Sequence, residues 1–393
     1  MDFRLTDEQE MLRDSARRFL EKECSLEQRR SAPTHGEFSG KRWTAFADMG
    51  WLAASLPEDC GGLGGDVVEA ALIMEEFGRA LVVDPFWGVG VLAAQTILAA
   101  DREQARQLLP KLCAGELLPA LAHHETQSRG VIEHVSLQAR PAGKDAWTLH
   151  GHKTLVMGGN VANRFIVSAR TAGGNRDRDG ITLFMLDREA QGLKRQNVRL
   201  IDNRWAAELA LDGVRVTSEH LLGEADQAYA ALEHAHVHGL LTLCSEAVGV
   251  MERALWITRD YLRTRKQFGV TLNTFQALQH RMAEMLIELE VSRSVVYRAM
   301  AFLEMPSAER LAALSVTKAR VGQSGRFICG QAIQLHGGIG VTEEYSIGHY
   351  FKRMTVIENE LGSAQFHLEQ LALRECAGPT PAVTAPHDSG APT

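Results

Sequence analysis

Over the first third of the chain, apolar positions recur at intervals of three and four. In "LTDEQEMLRDSARRFLEKE" they fall on Leu12, Ala16, Phe19 and Leu20, a stripe along one face of a helix. Thr6 and Gln9 stand ahead of the stripe at capping-box spacing, where two side chains satisfy free amides of the first turn. A second helix is predicted near 40–54, stopped at "LPEDCGGLGGD" by one proline and four glycines. Helical patterns resume at "VVEAALIMEEFGRAL" and again over about 88–114.

From about 116 the period shortens. "WTLHGHKTLVMGGNVANRFIVSAR" and "DGITLFMLDREAQGLKRQNVRL" are short β-type runs separated by Gly, Asn and Asp turns. They predict a small barrel-like or sandwich-like domain. Helical spacing then returns: Met282, Leu286, Leu289, Val296, Met300 and Leu303 mark one face. Pro306 and Ser307 break it, and Leu311, Leu314, Val321, Ile328 and Leu335 mark the next. Long helices with short breaks predict a bundle. The expected fold is mainly α with a middle β domain: helices over 1–115, strands over 116–225, a helical bundle over 226–375. A Pro-, Ala- and Gly-rich tail over 376–393 is expected to be disordered.

Composition narrows the class. Hydrophobic residues make up 45% and charged residues 23% of 393, enough for a large core, which over this length predicts two or three domains. The net charge of -7, without a Lys/Arg block, argues against a nucleic-acid partner. No apolar run is long enough for a membrane span, and "MDFRLTDEQE" has no signal-peptide core. The six cysteines lack paired spacing, so neither a disulfide framework nor a metal site is predicted, and a cytoplasmic location is expected.

Three stretches carry candidate chemistry. "QLHGGIG", 334–340, follows a helix rather than a strand, which excludes a Rossmann-type dinucleotide loop. It is either a helix stop or a place where backbone approaches a phosphate or ring closely. "YLRTRKQFGVTLNTFQALQHRMAEM", 261–285, sets three basic residues before Phe268 and Gly269, and an arginine fork suits a pyrophosphate. "VIENELGSAQFH", 356–367, offers Glu358 and Glu360 beside Gly362 as candidate carboxylate bases. His234 and His238 are four apart and share a helix face, without the further ligands a metal needs.

The order and separation of "LPEDCGGLGG", "RKQFG...FQALQHRMAEM" and "QLHGGIGVTEEY" resemble the acyl-CoA dehydrogenase family of flavoproteins over nearly the whole chain. The resemblance implies an N-terminal helical domain, a middle β domain and a C-terminal four-helix bundle. It also implies bound FAD, assembly usually as tetramers, acyl-CoA as substrate, and electron-transfer flavoprotein or a similar acceptor. In the family a carboxylate removes the α-proton of the thioester while the β-hydrogen leaves as hydride. By the same resemblance Arg265, with Phe268 beside it, reaches a neighbouring subunit's FAD diphosphate. Gln276, Gln334, Gly337 and Gly338 match the remaining cross-subunit cofactor motifs.

The chain departs from the family elsewhere. The usual "TEPxxGSD"-like loop reads "LAHHETQSRG", keeping Glu125 and Ser128 but also carrying His123 and His124. The "KxWIT/S" element reads Lys153-Thr154-Leu155-Val156-Met157. Of the two positions where members place the glutamate base, one aligns with Leu361 and the other with Gly239. Glu360, one residue before the first, remains as the candidate catalytic residue, expected to point elsewhere; Glu358 is expected to be solvated, and Glu343 and Glu344 to form ion pairs or caps. The ending "HGGIGVTEEYSIGHYFKR" resembles the small subunits of pimeloyl-CoA and steroid side-chain acyl-CoA dehydrogenases. That implies a homo- or heterotetramer in which a paralogous chain carries the base. A self-sufficient enzyme with a relocated base, a flavin-free scaffold subunit, and an oxidase or monooxygenase on the same fold are the alternatives.

Overall fold

The computed structural model describes residues 4–24, 38–128 and 130–377. The tail expectation falls beyond Ala377, outside the described residues, and α-helix continues to that point. Helix α1 (Asp7–Glu23) opens on the predicted capping box: the Gln9 amide donates to Thr6 Oγ1 at 3.2 Å, and the Thr6 amide to Gln9 Oε1 at 3.1 Å. Helix α2 (Gly40–Asp48) is shorter than expected. Gly50 takes a left-handed turn (φ 72) that only glycine adopts freely, and Trp51 folds back to stack on Phe46 with ring centroids 5.0 Å apart.

Helix α3 (Val67–Ala80) follows. The stretch expected to be helical over 88–114 is in fact three pieces. A π-helical segment, Trp87–Ala93, runs into α4 (Ala94–Ala100). Asp101 is extended there and caps α5 (Arg102–Cys113), accepting from the Gln104 amide at 2.7 Å.

One seven-stranded sheet follows, rather than two facing sheets. Its strands are β1 (Pro119–Ala122), β2 (Gln138–Pro141), β3 (Ala146–Met157), β4 (Arg164–Arg170), β5 (Ile181–Asp187), β6 (Leu193–Arg199) and β7 (Trp205–Thr217). The order is β1-β4-β2-β3-β7-β6, with β5 also on β4; β1 and β4 are parallel, and bulges bend the β3–β7 pair.

The last third is helical: α6 (Tyr229–Thr264), α7 (Gln276–Ala301), α8 (Ser307–His336), α9 (Ile347–Asn359) and α10 (Ala364–Ala377). Helix α6 is the axle. It packs on α3 through two glycines: a Cβ on Gly78 would lie 2.0 Å from the Glu246 carbonyl oxygen, and one on Gly249 1.8 Å from that of Glu75. No side chain fits at either crossing, so the N-terminal helices and the bundle share one core while the sheet has a second. On α7 the buried positions are Met285, Leu289, Ser292, Val296 and Ala299. Leu289 and Val296 are buried as the sequence pattern places them, but Leu286 is exposed with Ile287 and Val291, and Met285 takes the inward position instead.

Candidate active-site cavity

A cavity of about 840 Å³ lies where the sheet meets the bundle. The loop after β1, the start of α6 and the turn between α9 and α10 form its walls. Gly130 and Gly362 touch there: a Cβ on Gly130 would sit 3.1 Å from Gly362 Cα.

The α9–α10 turn holds both Glu360 and Leu361. Leu361 is left-handed (φ 54) and Gly362 has φ 98, so the chain reverses within two residues. A leucine in that region is uncommon and is held by its surroundings. The buried Lys318 amine donates to the Glu358 carbonyl at 2.9 Å and to the Gly362 carbonyl at 2.7 Å. His367 Nε2 donates to the Leu361 carbonyl at 3.0 Å. Glu358 itself is buried and accepts the Ala364 amide at 3.2 Å, correcting the expectation that it is solvated. Its carboxylate is consumed in capping α10.

Gly239 faces the same place from α6. A Cβ there would be 3.5 Å from Leu361 Cδ1, but only 2.3 Å from Leu92 Cδ2, and the Trp87 indole donates to the Gly239 carbonyl at 3.0 Å. The π-helical segment thus fills the space that a side chain at 239 would occupy.

Glu360 borders the cavity, and its Oε2 accepts from the buried Arg353 at 3.3 Å. Its Oε1 is buried without a hydrogen-bond partner among the described residues. Behind it stands a buried charge cluster. Arg353 grips Glu246 with two bonds of 2.7 Å and Asp202 with one of 2.9 Å, and Arg204 reaches Glu246 and, at 2.7 Å, the Val82 carbonyl. The cluster joins α6, α9, the β6–β7 turn and the segment just after α3, tying the three parts of the chain together. Burial opposes ionisation of Glu246, but Arg204 and Arg353 outweigh it and hold its carboxyl below the usual range. At Glu360 burial wins, and the carboxyl is pushed up despite Arg353 and Arg204.

On the sheet side, Glu125 and Ser128 have structural duties. Glu125 accepts from Lys153 Nζ at 2.7 Å, from the Ser136 amide at 2.8 Å and from the Leu137 amide at 3.0 Å; Ser128 Oγ donates to the Glu125 carbonyl at 2.8 Å. The loop that these bonds brace brings His123 and His124 to the cavity, with His123 Nδ1 held at 3.0 Å from Ser168 Oγ. His236 enters from α6, a residue that sequence reasoning missed. The signal was present: Leu232, His236 and Gly239 follow one helix face, whereas His234 and His238 lie on another, their rings tilted with centroids 4.2 Å apart and His234 at 3.0 Å from Gln95. Among the described residues no group of three or more His, Cys, Asp or Glu side chains could hold a metal. No described helix is long and apolar enough to cross a membrane. Glu343 forms the expected ion pair, with Lys352.

The six residues matched to cofactor contacts lie away from this cavity, at one exposed end of the bundle. Arg265 ends α6 and begins a hairpin that carries Phe268 (φ 55, 91% exposed). Gln276 starts α7, and Gln334, Gly337 and Gly338 end α8. Tyr261 stacks on His336 at 4.4 Å and draws the two regions together. The Arg265 guanidinium makes no ion pair among the described residues. Nothing lies within 4 Å of where a Cβ on Gly337 or Gly338 would be. The open glycines and the unpaired guanidinium leave room and charge for an anionic group at this end of the bundle.

Residues 6–116 match the acyl-CoA dehydrogenase N-terminal domain and residues 230–375 the C-terminal domain. The structure of a variant of the Tcur3481-Tcur3483 steroid ACAD is 31% identical, covers 94% of this chain and 99% of its own, and superposes with a TM-score of 0.83. The chain belongs to the acyl-CoA dehydrogenase family, FAD-dependent oxidoreductases acting on CH–CH bonds, with the family's N-terminal helices, middle β half-barrel and C-terminal bundle. A probable acyl-CoA dehydrogenase, YngJ, of Bacillus subtilis is 27% identical over 95% of this chain and 98% of its own length. The ChsE4-ChsE5 complex from Mycobacterium tuberculosis includes a chain with the same fold, 24% identical with a TM-score of 0.86, covering 97% of this chain and 100% of its own.

Proposed function

We propose that this chain is a subunit of a heteromeric acyl-CoA dehydrogenase that binds FAD together with a paralogous chain, which contributes the base. The carrying observation is that Leu361, matched to one of the family's two base positions, lines the cavity, that Gly239, matched to the other, lies against it behind Leu92, and that neither can accept a proton. Leu92 and Trp87 occupy the room beside Gly239, so that position has been repacked as well as emptied. FAD, when bound, accepts the hydride. Arg265 and Gln334 would hold its diphosphate end from across a subunit interface. The similarity to a steroid dehydrogenase and to a chain from a two-component complex supports the heteromeric form.

The purified chain, given FAD, acyl-CoA and an electron acceptor, is expected to turn over poorly and to gain activity when mixed with a base-bearing paralogue. Substantial turnover by the chain alone would overturn this reading. Arg265→Ala should weaken FAD binding by about 10- to 150-fold, the loss of a charge-assisted contact. Equilibrium titration of the assembled protein checks it, and unchanged affinity would remove Arg265 from the cofactor site.

Glu360 supports a second reading, in which the chain is self-sufficient with a relocated base. The residue borders the cavity, and its carboxyl has one unpartnered buried oxygen and is biased by burial towards holding a proton.

A further inference from the structure

Two polar side chains in the cavity have no part in the chemistry above. His124 stands on the loop after β1 and His236 on α6, and both line the cavity. Among the described residues neither imidazole has a side-chain hydrogen-bond partner. Among the described residues, three buried cations nearby are already engaged. Lys153 is spent on Glu125, Lys318 on the carbonyls of Glu358 and Gly362, and Arg353 on Glu246 and Asp202. The rest of the lining is largely apolar, with Leu92, Leu121, Ile132, Leu232 and Phe366. Burial pulls the His124 imidazole down to about 4 and that of His236 down to about 3, so both rings are neutral at physiological pH, each with one donor and one acceptor nitrogen.

We propose that His124 and His236 are specificity-determining residues that hydrogen-bond uncharged oxygen or nitrogen groups on the bulky apolar body filling this cavity. Such groups come from one of two sources, a keto or hydroxyl oxygen on the acyl part of the substrate or the polar edge of the flavin ring. A plain alkyl chain would leave both imidazoles desolvated and unsatisfied, and a site built to hydrogen-bond a polar group rejects the analogue that lacks it. A fixed cation is unsuited to this task, because it would favour an anion over an uncharged group. The inference rests on the reading of the cavity as the acyl-CoA and flavin site.

The test uses the full chain with its partner subunit, and compares the natural protein with His124→Leu, His236→Leu and the hydrogen-bonding variants His124→Asn and His236→Asn. Calorimetry would measure binding of lauroyl-CoA and of keto-lauroyl-CoAs with the ketone stepped along the chain; FAD affinity would be titrated in parallel. If the source is the acyl group, at least one keto probe binds the natural protein about 10-fold or more tighter than lauroyl-CoA. The leucine variants lose that preference with FAD affinity intact, and the asparagine variants keep part of it. If the source is the flavin, the leucine variants lose FAD affinity by a similar factor and the asparagine variants recover part of it. The proposal is overturned if FAD affinity and the probe ranking are the same in the natural protein and both leucine variants. A natural protein that binds neither FAD nor any of the acyl-CoAs would instead bring down the functional reading, and this inference with it.

Discussion

Arg353→Met is expected to destabilise the folded chain by about 3–5 kcal/mol, the usual cost of leaving buried carboxylates without their counter-ion. Arg353 is fully enclosed and faces Glu246, Asp202 and Glu360, with Arg204 as the other cation in the cluster. Methionine keeps much of the side-chain volume and removes the charge, so packing changes little while Arg204 alone faces three carboxylates. Urea unfolding followed by two spectroscopic probes measures the effect, and a loss below about 1 kcal/mol would show that the cluster is dispensable. The pH dependence has a definite sign. The folded-state pKa of Glu246 is lowered, so its contribution is present above the unfolded value of about 4.3 and is lost as pH falls through the folded one. Arg353→Met should flatten this acid limb. Glu360 acts oppositely: its raised pKa gives stability that is present below the unfolded value and lost as pH rises through the folded one. The two limbs can therefore be separated in one titration.

Glu360→Gln decides between the two functional readings. If Glu360 is a relocated base, the amide cannot take the α-proton, and kcat should fall by about 10² or more. KM should change little, because glutamine keeps the shape and can still accept a hydrogen bond from Arg353. If the base lies on a paralogous chain, the assembled enzyme should keep its kcat to within a few-fold. Stability separates a catalytic effect from a structural one: removing a carboxylate from a cluster of three against two guanidinium groups should leave the neutral-pH stability equal or higher. A large loss of both stability and kcat would mean that Glu360 holds the turn rather than the proton.

Periodicity in the sequence was enough to separate helix from strand and strand from bundle, because each element must turn one apolar face inward and that face repeats at the element's own period. Capping obeyed the same local logic at Thr6 and Gln9. Register was less legible. Leu286 and Met285 are both apolar, and only the neighbours of α7 decide which of the two is buried. The break at 87–101 was hidden for a related reason, since the π-helical turns are held by Trp87 and Leu92 packing on α6, a contact between distant parts of the chain. The motif resemblance was carried by local runs such as Arg265 to Gln276, whose residues lie together on one exposed end without help from the rest of the fold.

The sequence by itself established the order of elements, the family resemblance, and the absence of a carboxylate at Leu361 and Gly239. Only the tertiary structure decided that those two positions meet, that Glu360 borders the cavity beside Arg353 while Glu358 is consumed in a cap, and that His124 and His236 share one chamber. The reason is physical. A side chain's direction at a helix end depends on one or two dihedral angles, here the left-handed turn at Leu361 and Gly362. That turn is held by His367 from the helix that follows it and by Lys318 from α8, and no local pattern records the reach of Lys318.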